Sequence, residues 1–328
     1  MAHTSFWEGK RILVTGGTGT FGRAFIKRLI SISEIERIVV FSRDEFKQNE
    51  MRHEIKDPRV DYFIGDVRDL ARLERAFNGI DIVVHAAALK QVPALEYNPL
   101  EAVKTNIIGT QNVIDAALDR DVGNVILISS DKAVYPVNLY GATKLTAERL
   151  VIASNAYRGK KGKTKFSVVR YGNVIGSRGS FVELIEKQKP SGIITITHEH
   201  MTRFWIHIDD VTKIVTDILK CMEGGELFIP KMKSLKVVDV VEMLAPKCQV
   251  EIIGIRPGEK LHEMLVTEHE VERTKDAGDF YVVLPEFRSW KTKDIFAKNK
   301  SFPKGVQYVS NDALFLVPGT KAKSIFKL

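Results

Sequence analysis

Residues 11–22 read Arg11-Ile12-Leu13-Val14-Thr15-Gly16-Gly17-Thr18-Gly19-Thr20-Phe21-Gly22, and this stretch decides the fold. A short apolar strand runs directly into a glycine-rich turn, and a helix of about residues 21–32 is expected to follow. Gly17, Gly19 and Gly22 have the G-x-G-x-x-G spacing, and Gly16, Gly19 and Gly22 the related G-x-x-G-x-x-G spacing. Glycines here allow a tight turn, close approach of the backbone to a pyrophosphate, and close helix–strand packing. The strand–turn–helix context therefore predicts a dinucleotide site with its phosphates at the helix N-terminus.

Apolar strands alternate with helical segments through the first half of the chain. The expected strands cover residues 11–14, 37–41, 60–64, 80–85, 125–128 and 166–170. This rhythm predicts an α/β fold with a Rossmann-like, doubly wound parallel sheet. It stops after residue 172, which predicts a smaller α+β substrate-binding lobe over the carboxyl edge of the sheet. The expected division is a Rossmann domain at 1–172 with a return segment at about 201–226, the lobe at 173–200 and 227–285, and a C-terminal tail at 286–328.

Composition limits the class of protein. The chain has 328 residues, of which 44% are hydrophobic, and this is enough for a sizeable core. Its two cysteines, Cys221 and Cys248, argue against a disulfide framework and fit a reducing compartment. The first ten residues are polar and no apolar run approaches about 18 residues, so we expect a cytoplasmic protein without membrane contact. The net charge of +8, with dense spots at 160–163 and after Arg288, fits anionic small molecules, and no nucleic-acid module is present.

The end of the second strand bears on the choice of cofactor. An acidic residue here usually binds a ribose 2′-hydroxyl, whereas an arginine accommodates a 2′-phosphate. Ser42, Arg43 and Lys47 favour NADP, while Asp44 leaves NAD open. Small residues after the fourth strand, Ala86 and Ala87, would let a flat ligand lie against the backbone. The expected cofactor-binding set is Gly16, Thr18, Gly19, Thr20, Phe21, Gly22, Ser42, Arg43, Asp44, Lys47, Asp66, Val67, Ala86, Ala87, Lys90, Ser129, Tyr140 and Lys144.

Tyr140 and Lys144 are the first candidates for chemistry. They are four residues apart, so on a helix they share one face. A free phenol has a pKa of about 10, and bringing it to about 7 needs roughly 4 kcal/mol of differential stabilisation. A nearby ammonium favours the phenolate, so Lys144 is expected to lower the pKa of Tyr140. Beside a dinucleotide site, the pair predicts a proton acceptor for an alcohol that loses hydride.

The second half of the chain offers fewer signals. His198 and His200 have no third ligand nearby, so we expect no metal site. Asp209 or Asp210 is expected to cap a helix at 211–222. Arg256 precedes Pro257 and Gly258, which places a guanidinium suited to phosphate on a rigid turn. Lys90 could reach a phosphate or a sugar hydroxyl, or be a solvated surface lysine.

In this order, these residues resemble the extended short-chain dehydrogenase/reductase superfamily over roughly residues 8–285. Within it the chain is most similar to the inverting UDP-N-acetylglucosamine 4,6-dehydratases. The resemblance rests on five stretches, Ala88-Leu89-Lys90-Gln91-Val92-Pro93, Ser130-Asp131-Lys132-Ala133, Arg170-Tyr171-Gly172-Asn173-Val174, Met201-Thr202-Arg203-Phe204-Trp205 and Arg256-Pro257-Gly258-Glu259-Lys260. Two positions depart from the family, which usually has His at Gln91 and Thr at Ser130. Serine keeps the hydroxyl, whereas Gln91 leaves the role of its position open.

The resemblance implies a reaction and its residues. NADP would be bound and recycled, UDP-GlcNAc would be the substrate, and the chain would form a homo-oligomer. Asp131 would be the general acid and Lys132 the base that removes the carbon-5 proton. The implied catalytic set is Asp131, Lys132, Tyr140, Lys144 and Ser130. The implied substrate-binding set is Lys90, Asn173, Val174, Arg178, Met201, Thr202, Arg203, Arg256 and Glu259.

Three alternatives stay open at this point. UDP-sugar 4-epimerases of the superfamily usually lack the ionisable pair at 131–132, and retaining 4,6-dehydratases typically carry Asp-Glu there. An NADP-sensing binding protein without turnover would have no need of Asp131, Lys132, Tyr140 and Lys144 together. The Asp131-Lys132 pair could also be an ordinary surface salt bridge. One requirement of this chemistry is opposed by the neighbouring charge. Lys132 must be neutral to act as a base, whereas the Asp131 carboxylate favours the protonated form of Lys132.

Overall fold

The computed structural model describes residues 5–157, 162–287, 289–290 and 292–328. The expected basic spot at 160–163 lies partly outside these residues, because Lys160 and Lys161 are not among them; neither is Arg288. Its strands are β1 (Arg11–Thr15), β2 (Arg37–Ser42), β3 (Val60–Ile64), β4 (Ile82–His85), β5 (Asn124–Ile128), β6 (Lys165–Val169), β7 (Asn173–Ile175), β8 (Ile193–Ile196), β9 (Thr202–His207), β10 (Leu227–Pro230), β11 (Lys233–Lys236), β12 (Gln249–Ile252), β13 (Met264–Val266), β14 (Thr274–Asp276), β15 (Phe280–Val283) and β16 (Tyr308–Val309).

The helices lie between these strands. They are α1 (Thr20–Ile30), α2 (Glu45–Glu54), α3 (Leu70–Ala76), α4 (Val92–Tyr97), α5 (Pro99–Ala102), α6 (Gly109–Asp119), α7 (Leu139–Ala153), α8 (Phe181–Gln188), α9 (Ile208–Cys221), α10 (Val237–Leu244), α11 (Glu268–Val271) and α12 (Ala322–Phe326). A π-helical segment, Val103–Ile108, joins α5 to α6. Short 3-10 turns cover Asp131–Ala133, Ser154–Ala156, Lys189–Ser191 and Gly319–Lys321.

In the described part of the chain, nine strands form the main sheet, in the order β14-β15-β10-β6-β5-β4-β1-β2-β3. The strands from β3 to β10 along this order run parallel, and β15 and β14 add antiparallel pairs at one edge. The strand order reverses between β1 and β4, which is where open α/β sheets bind ligands. The structure confirms the predicted Rossmann-like fold.

The apolar runs form strands because both faces of the sheet are covered. β4 is buried along its whole length, and β1 and β5 are buried after their first residue. Continuous burial is typical of parallel strands between two helical layers. On the helical layers, α1 packs against α9, and α6 packs against α3 and α7. The edge strand β3 is only partly buried, in keeping with its position.

A second lobe lies on the carboxyl side. It contains the sheet β11-β9-β7 and the parallel pair β12-β8. Its own apolar core includes Ile185, Ile194, Trp205, Val240 and Phe326. The lobe therefore has a hydrophobic interior separate from that of the main sheet.

Three sequence expectations differ from the structure. Residues 227–285 were expected in the lobe, but β10, β14 and β15 extend the main sheet, because β10 pairs in parallel with β6. The return segment of 201–226 is divided, since β9 joins the lobe sheet while α9 packs on α1. The cap of α9 is His207, whose ring accepts a hydrogen bond from the Asp209 backbone N–H, and neither aspartate caps this helix.

The C-terminal tail packs on its own chain. The Tyr308 hydroxyl donates to the Met232 carbonyl across 2.8 Å, and β16 pairs with β13. Phe326 packs on Trp205 with ring centroids 5.3 Å apart. Among the described segments, no helix is both long and apolar enough to cross a lipid bilayer.

Candidate active site

The glycine-rich turn is shaped by backbone contacts at the point where the strand order reverses. Gly16 has a φ of +65°, and a Cβ there would lie 2.8 Å from the Ala87 backbone nitrogen. A Cβ on Gly22 would lie 2.6 Å from the Gly16 carbonyl oxygen. The Thr15 hydroxyl accepts hydrogen bonds from the Ala86 and Ala87 N–H groups, each at 3.2 Å. These contacts leave a backbone cradle, and the N-terminus of α1 has no side-chain cap. The residues present therefore fit a dinucleotide pyrophosphate.

A cavity of about 330 Å³ lies at the end of β2. The expected residues that line it are Gly16, Thr18, Gly19, Ser42, Arg43, Asp44, Lys47, Val67, Ala86 and Ala87. Asp66 is not among the lining residues; its carboxylate is paired with Arg68 at 2.7 Å. Thr105, which sequence reasoning missed, lines the cavity with a buried hydroxyl that has no hydrogen-bond partner among the described residues. The π-helical segment that carries Thr105 has no recognisable sequence signal.

The carboxylate of Asp44 is engaged by its own helix. One oxygen accepts the Lys47 backbone N–H at 3.0 Å, and the other lies 2.5 Å from the Lys47 ammonium. A hydrogen bond from Lys47 is the main cause that lowers the pKa of Asp44. Arg43 is half exposed at the rim and its nearest acidic partner is Asp66, at 3.7 Å. Of the two candidates for binding the ribose end of the cofactor, Arg43 therefore has weaker contacts within the protein than Asp44.

A second cavity of about 470 Å³ continues the first along the carboxyl edge. The two share Gly16, Gly19, Ala86, Ala88 and Arg178, so they form one groove. Expected residues lining this part are Gly16, Gly19, Thr20, Phe21, Gly22, Ala86, Lys90, Ser129, Ser130, Lys132, Tyr140, Lys144, Asn173, Val174 and Arg178.

The loop at Arg178 closes over this groove. The Arg178 N–H donates to the Thr20 hydroxyl at 3.2 Å, and the Lys90 amine donates to the Arg178 carbonyl at 3.0 Å. Val174 and Arg178 were expected to bind substrate, and Lys90 to bind cofactor and substrate; all three line this part of the groove together with the glycine-rich turn and Lys132. Burial lowers the pKa of Lys90.

Tyr140 and Lys144 stand at the start of α7. The Asn138 side chain caps this helix by accepting the Gly141 N–H at 2.8 Å, and sequence reasoning missed this cap. The Lys144 amine donates to the Ile128 carbonyl at 2.7 Å, and burial lowers its pKa to about 8. Burial raises the pKa of Tyr140, and the charge that chiefly opposes this rise is that of Lys132. The expectation that Lys144 lowers the pKa of Tyr140 is therefore corrected, because the opposing charge is that of Lys132, and the Lys144 amine donates to the Ile128 carbonyl.

Asp131 and Lys132 form a pair of one buried and one partly buried side chain rather than a surface salt bridge. Asp131 is completely buried, and its Oδ1 accepts from the Ser130 hydroxyl at 2.7 Å. Its Oδ2 lies 2.9 Å from the Lys132 amine, which also donates to the Asn173 amide oxygen at 2.9 Å. Burial raises the pKa of Asp131. Burial opposes the charge on Lys132, but Asp131 and Glu263 outweigh it and raise the pKa of Lys132.

A third cavity, of about 480 Å³, opens from this pair into the second lobe. It shares Lys132, Asn173, Gly179, Ser180 and Phe181 with the cofactor groove. The expected substrate-binding residues that line it are Asn173, Met201, Arg203, Arg256 and Glu259. Hence Lys132 lies where a bound dinucleotide and a second ligand would meet.

Thr202 is the expected substrate-binding residue that lines none of these cavities. Its hydroxyl lies 2.8 Å from His262 Nδ1 and 2.6 Å from the Ser310 hydroxyl, so it is engaged inside the lobe. Arg203 lines the cavity and also holds its wall, because it donates to the Leu261 and Lys260 carbonyls at 3.1 and 2.9 Å.

Comparison with known proteins identifies the family. A family model described as polysaccharide biosynthesis protein matches residues 12–285. UDP-N-acetylglucosamine 4,6-dehydratase (inverting) of Campylobacter jejuni is 46% identical over 298 residues, which cover 90% of this chain and 89% of the relative. UDP-glucose 4-epimerase of Rickettsia canadensis is 40% identical over 83% of this chain and 82% of its own. The X-ray structure of Pen from Bacillus thuringiensis has a TM-score of 0.88 at 36% identity and covers 98% of this chain and 99% of its own. The chain therefore belongs to the polysaccharide biosynthesis protein family, within the extended short-chain dehydrogenase/reductase superfamily.

Proposed function

We propose that the protein is an inverting UDP-N-acetylglucosamine 4,6-dehydratase, whose product is UDP-2-acetamido-2,6-dideoxy-β-L-arabino-hexos-4-ulose. The observation that carries this proposal is the Asp131–Lys132 pair, 2.9 Å apart, whose lysine lies where the cofactor groove meets the lobe cavity. Dehydration needs a base at carbon 5 and an acid at the oxygen on carbon 6. A carboxyl and an amine at this junction supply both. The 46% identity to the Campylobacter jejuni enzyme supports the same reaction.

The cofactor groove would hold a nicotinamide dinucleotide. When bound, such a cofactor would supply reversible hydride transfer, taking hydride from carbon 4 of the sugar and giving it back to carbon 6, so no external reductant would be used. Tyr140 would take the proton of the carbon-4 hydroxyl, with its phenolate favoured by the charge of Lys132 and by a hydrogen bond with Ser130. Lys144 would orient the ribose end of the nicotinamide and keep the start of α7 fixed to β5 through the Ile128 carbonyl.

Dehydration then follows on the 4-keto sugar. Lys132 removes the carbon-5 proton, the electron pair forms the carbon 5–carbon 6 double bond, and the carbon-6 oxygen leaves as water with the proton of Asp131. Hydride addition at carbon 6 would leave the enolate of the 4-ketone, and uptake of a solvent proton at carbon 5 from the opposite face would invert that centre. This step needs a neutral Lys132 and a protonated Asp131. That form has the same number of protons as the ion pair, and one proton transfer across the 2.9 Å hydrogen bond produces it.

NADP is the proposed cofactor. Both carboxylate oxygens of Asp44 accept hydrogen bonds from Lys47, so Asp44 is less available to accept hydrogen bonds from a free ribose diol. Arg43 at the cavity rim has only a long ion pair with Asp66, at 3.7 Å, and its guanidinium is suited to a 2′-phosphate.

The UDP moiety of the substrate is assigned to the lobe cavity. Arg256 forms no ion pair within the described part of the chain and lines that cavity, so it is the proposed pyrophosphate ligand. Met201, Arg203 and Glu259 complete the proposed wall. We further propose a cytoplasmic homo-oligomer whose product enters flagellin or surface-glycan sugars, in keeping with the family description.

A UDP-sugar 4-epimerase is the second candidate, because the Rickettsia canadensis relative is also similar over most of the chain. A 4-epimerase has no need of the acid–base pair at 131–132. Mass spectrometry of UDP-GlcNAc after incubation with the purified protein separates the two. The proposed dehydratase gives a product lighter by one water, whereas a product of unchanged mass that chromatography separates from UDP-GlcNAc would overturn the dehydratase in favour of the epimerase.

A further inference from the structure

Glu263 is a buried carboxylate at the catalytic pair that no sequence motif indicated. It immediately precedes β13 and is 3% exposed. Its Oε1 lies 3.5 Å from the Lys132 amine, and its Oε2 lies 3.4 Å from the Lys260 amine. Its backbone is fixed on Ser310, whose hydroxyl accepts the Glu263 N–H at 2.9 Å and whose N–H donates to the Glu263 carbonyl at 2.8 Å. The side chain is therefore held against Lys132 by a rigid wall.

Burying the Glu263 carboxylate costs free energy, and the contacts of its Oε2 atom offset little of that cost. Oε2 accepts no hydrogen bond among the described residues and has only the ion pair with Lys260. Lys260 is itself tied to the Val134 carbonyl. A well-packed apolar side chain would often be at least as stable as such a buried ionic group. The placement of a charge here thus points to a role in the chemistry of Lys132.

The surrounding charges define what that role can be. Glu263 faces three cations, Lys132, Arg203 and Lys260, which together outweigh burial and lower the pKa of Glu263. Lys132 faces the carboxylates of Asp131 and Glu263 and the opposing cation of Arg203. Glu263 is accordingly an anion, and it stabilises the ammonium form of Lys132. In the dehydration step, that ammonium is the form produced when Lys132 accepts the carbon-5 proton.

We propose that Glu263 is a positioning residue for dehydration, which fixes the Lys132 amine beside Asp131 and strengthens it as the acceptor of the carbon-5 proton. This inference rests on the proposed function. The carbon–hydrogen bond breaks, its proton moves to the amine, and its electron pair forms the double bond as water leaves with the proton of Asp131. Glu263 neither gains nor loses a proton.

The test is Glu263→Gln, measured with UDP-GlcNAc across pH. Loss of the negative charge lowers the pKa of Lys132, so the basic limb of the kcat profile moves to lower pH by about one unit. The kcat falls about tenfold or more, because proton transfer contributes at least that much to such reactions. The KM rises less than the kcat falls. Glu226→Gln is the matched control, since Glu226 is also buried but accepts a hydrogen bond from the Ser167 hydroxyl and directly precedes β10, at the end of that strand opposite the carboxyl edge.

Glu263→Asp separates charge from packing. This variant keeps a negative charge, so the basic limb of its kcat profile stays near that of the wild type. Its kcat falls because the shorter side chain does not bring the carboxylate as close to Lys132. If Glu263→Gln loses activity with its basic limb unmoved, or if Glu263→Asp moves the limb as far as a loss of the charge should, Glu263 is only structural and the inference is overturned. A wild-type protein that forms no dehydrated product would instead overturn the proposed function itself. Normal dehydration by the wild type and an unchanged profile in Glu263→Gln would overturn the inference alone.

Discussion

Lys132 and Asn173 meet across 2.9 Å, with the lysine amine donating to the amide oxygen. Lys132 follows β5 of the main sheet, whereas Asn173 opens β7 of the lobe sheet. The contact therefore joins the two parts of the molecule at the point where their cavities meet. Because Asp131 holds the same amine on its other side, the catalytic pair is positioned by both parts.

Lys132→Ala should abolish dehydration and retain the cofactor. The groove for the dinucleotide is built mainly by the glycine-rich turn and β2, so its affinity depends little on Lys132. Product formation is measured by mass spectrometry and bound cofactor by its absorbance after denaturation. Lys104→Ala, which removes an exposed lysine paired with Glu101, is the control and should behave as wild type. Undiminished product from Lys132→Ala would remove the base assignment.

Tyr140→Phe should block the first oxidation. Without the phenol no side chain at this position accepts the carbon-4 hydroxyl proton, so turnover should fall by about 100-fold or more. Reduced cofactor should not appear when substrate is mixed with the variant in a stopped-flow absorbance measurement. Tyr97→Phe, on an exposed tyrosine of α4, should leave the signal intact. Substantial turnover by Tyr140→Phe would contradict its role.

Gly16→Ala should cost more than Gly9→Ala, although both glycines have a φ of +65°. A Cβ at Gly9 meets nothing within 4 Å, so that variant has only the cost of the left-handed backbone, about 1–2 kcal/mol. At Gly16 the Cβ also clashes with the Ala87 backbone at the cofactor groove. Urea unfolding and cofactor content should show the larger loss of stability, and loss of cofactor, in Gly16→Ala. Equal behaviour of the two variants would disprove the close approach.

Arg43→Ala should weaken NADP binding about tenfold or more and leave NAD binding nearly unchanged. The reason is the loss of a charge-assisted contact to the 2′-phosphate, a group that NAD lacks. Fluorescence titration with each dinucleotide measures the ratio, and Arg37→Ala, an exposed arginine paired with Asp61, serves as control. Equal loss for both dinucleotides would argue against NADP specificity.

Arg170→Met should destabilise the protein by about 3–5 kcal/mol at pH 7, because it leaves two buried carboxylates without their cation. Arg170 lies 2.7 Å from Glu148 and 3.0 Å from Glu270. Burial opposes ionisation of Glu270, but Arg170 outweighs it and holds the pKa of Glu270 below its usual 4.5. This stabilisation is present above about pH 4.5 and is lost as the pH falls through the lower folded-state value.

The difference between wild type and Arg170→Met should therefore shrink in acid. Urea unfolding at pH 7 and below pH 4.5 measures it, with Arg120→Met at an exposed ion pair as the control. A difference that is constant with pH would show that the ion pairs contribute little.

Sequence predicted the parts of the fold that depend on local pattern. Buried parallel strands are apolar runs, so β1, β2 and β5 were evident, and the glycine spacing marked the turn at Gly16. The return of β10 to the main sheet was not predictable, because its partner β6 lies some 60 residues earlier and four residues give no periodic signal. The family comparison confirms the resemblance to inverting dehydratases.

Site residues that belong to a recognisable motif could be predicted from the sequence. Site residues that only tertiary contacts bring to the cavity could not. Asp131, Lys132 and Tyr140 stand in recognisable stretches; Lys132 and Tyr140 line one cavity, and the fully buried Asp131 contacts the Lys132 amine. Glu263 is isolated in sequence, and only the packing of β13 against β16 brings it to Lys132. Thr202 belongs to a recognisable stretch but alternates away from the cavity along β9, so its hydroxyl faces Ser310.

Inverting dehydration is tested most directly by proton NMR of UDP-GlcNAc incubated with the pure protein in D₂O. We expect a new 6-methyl signal, deuterium at carbon 5 and couplings of the L-arabino product. A methyl signal with D-xylo couplings would contradict inversion and assign another role to Lys132. A UDP-GalNAc spectrum without a methyl signal, or no change at all, would contradict dehydration itself.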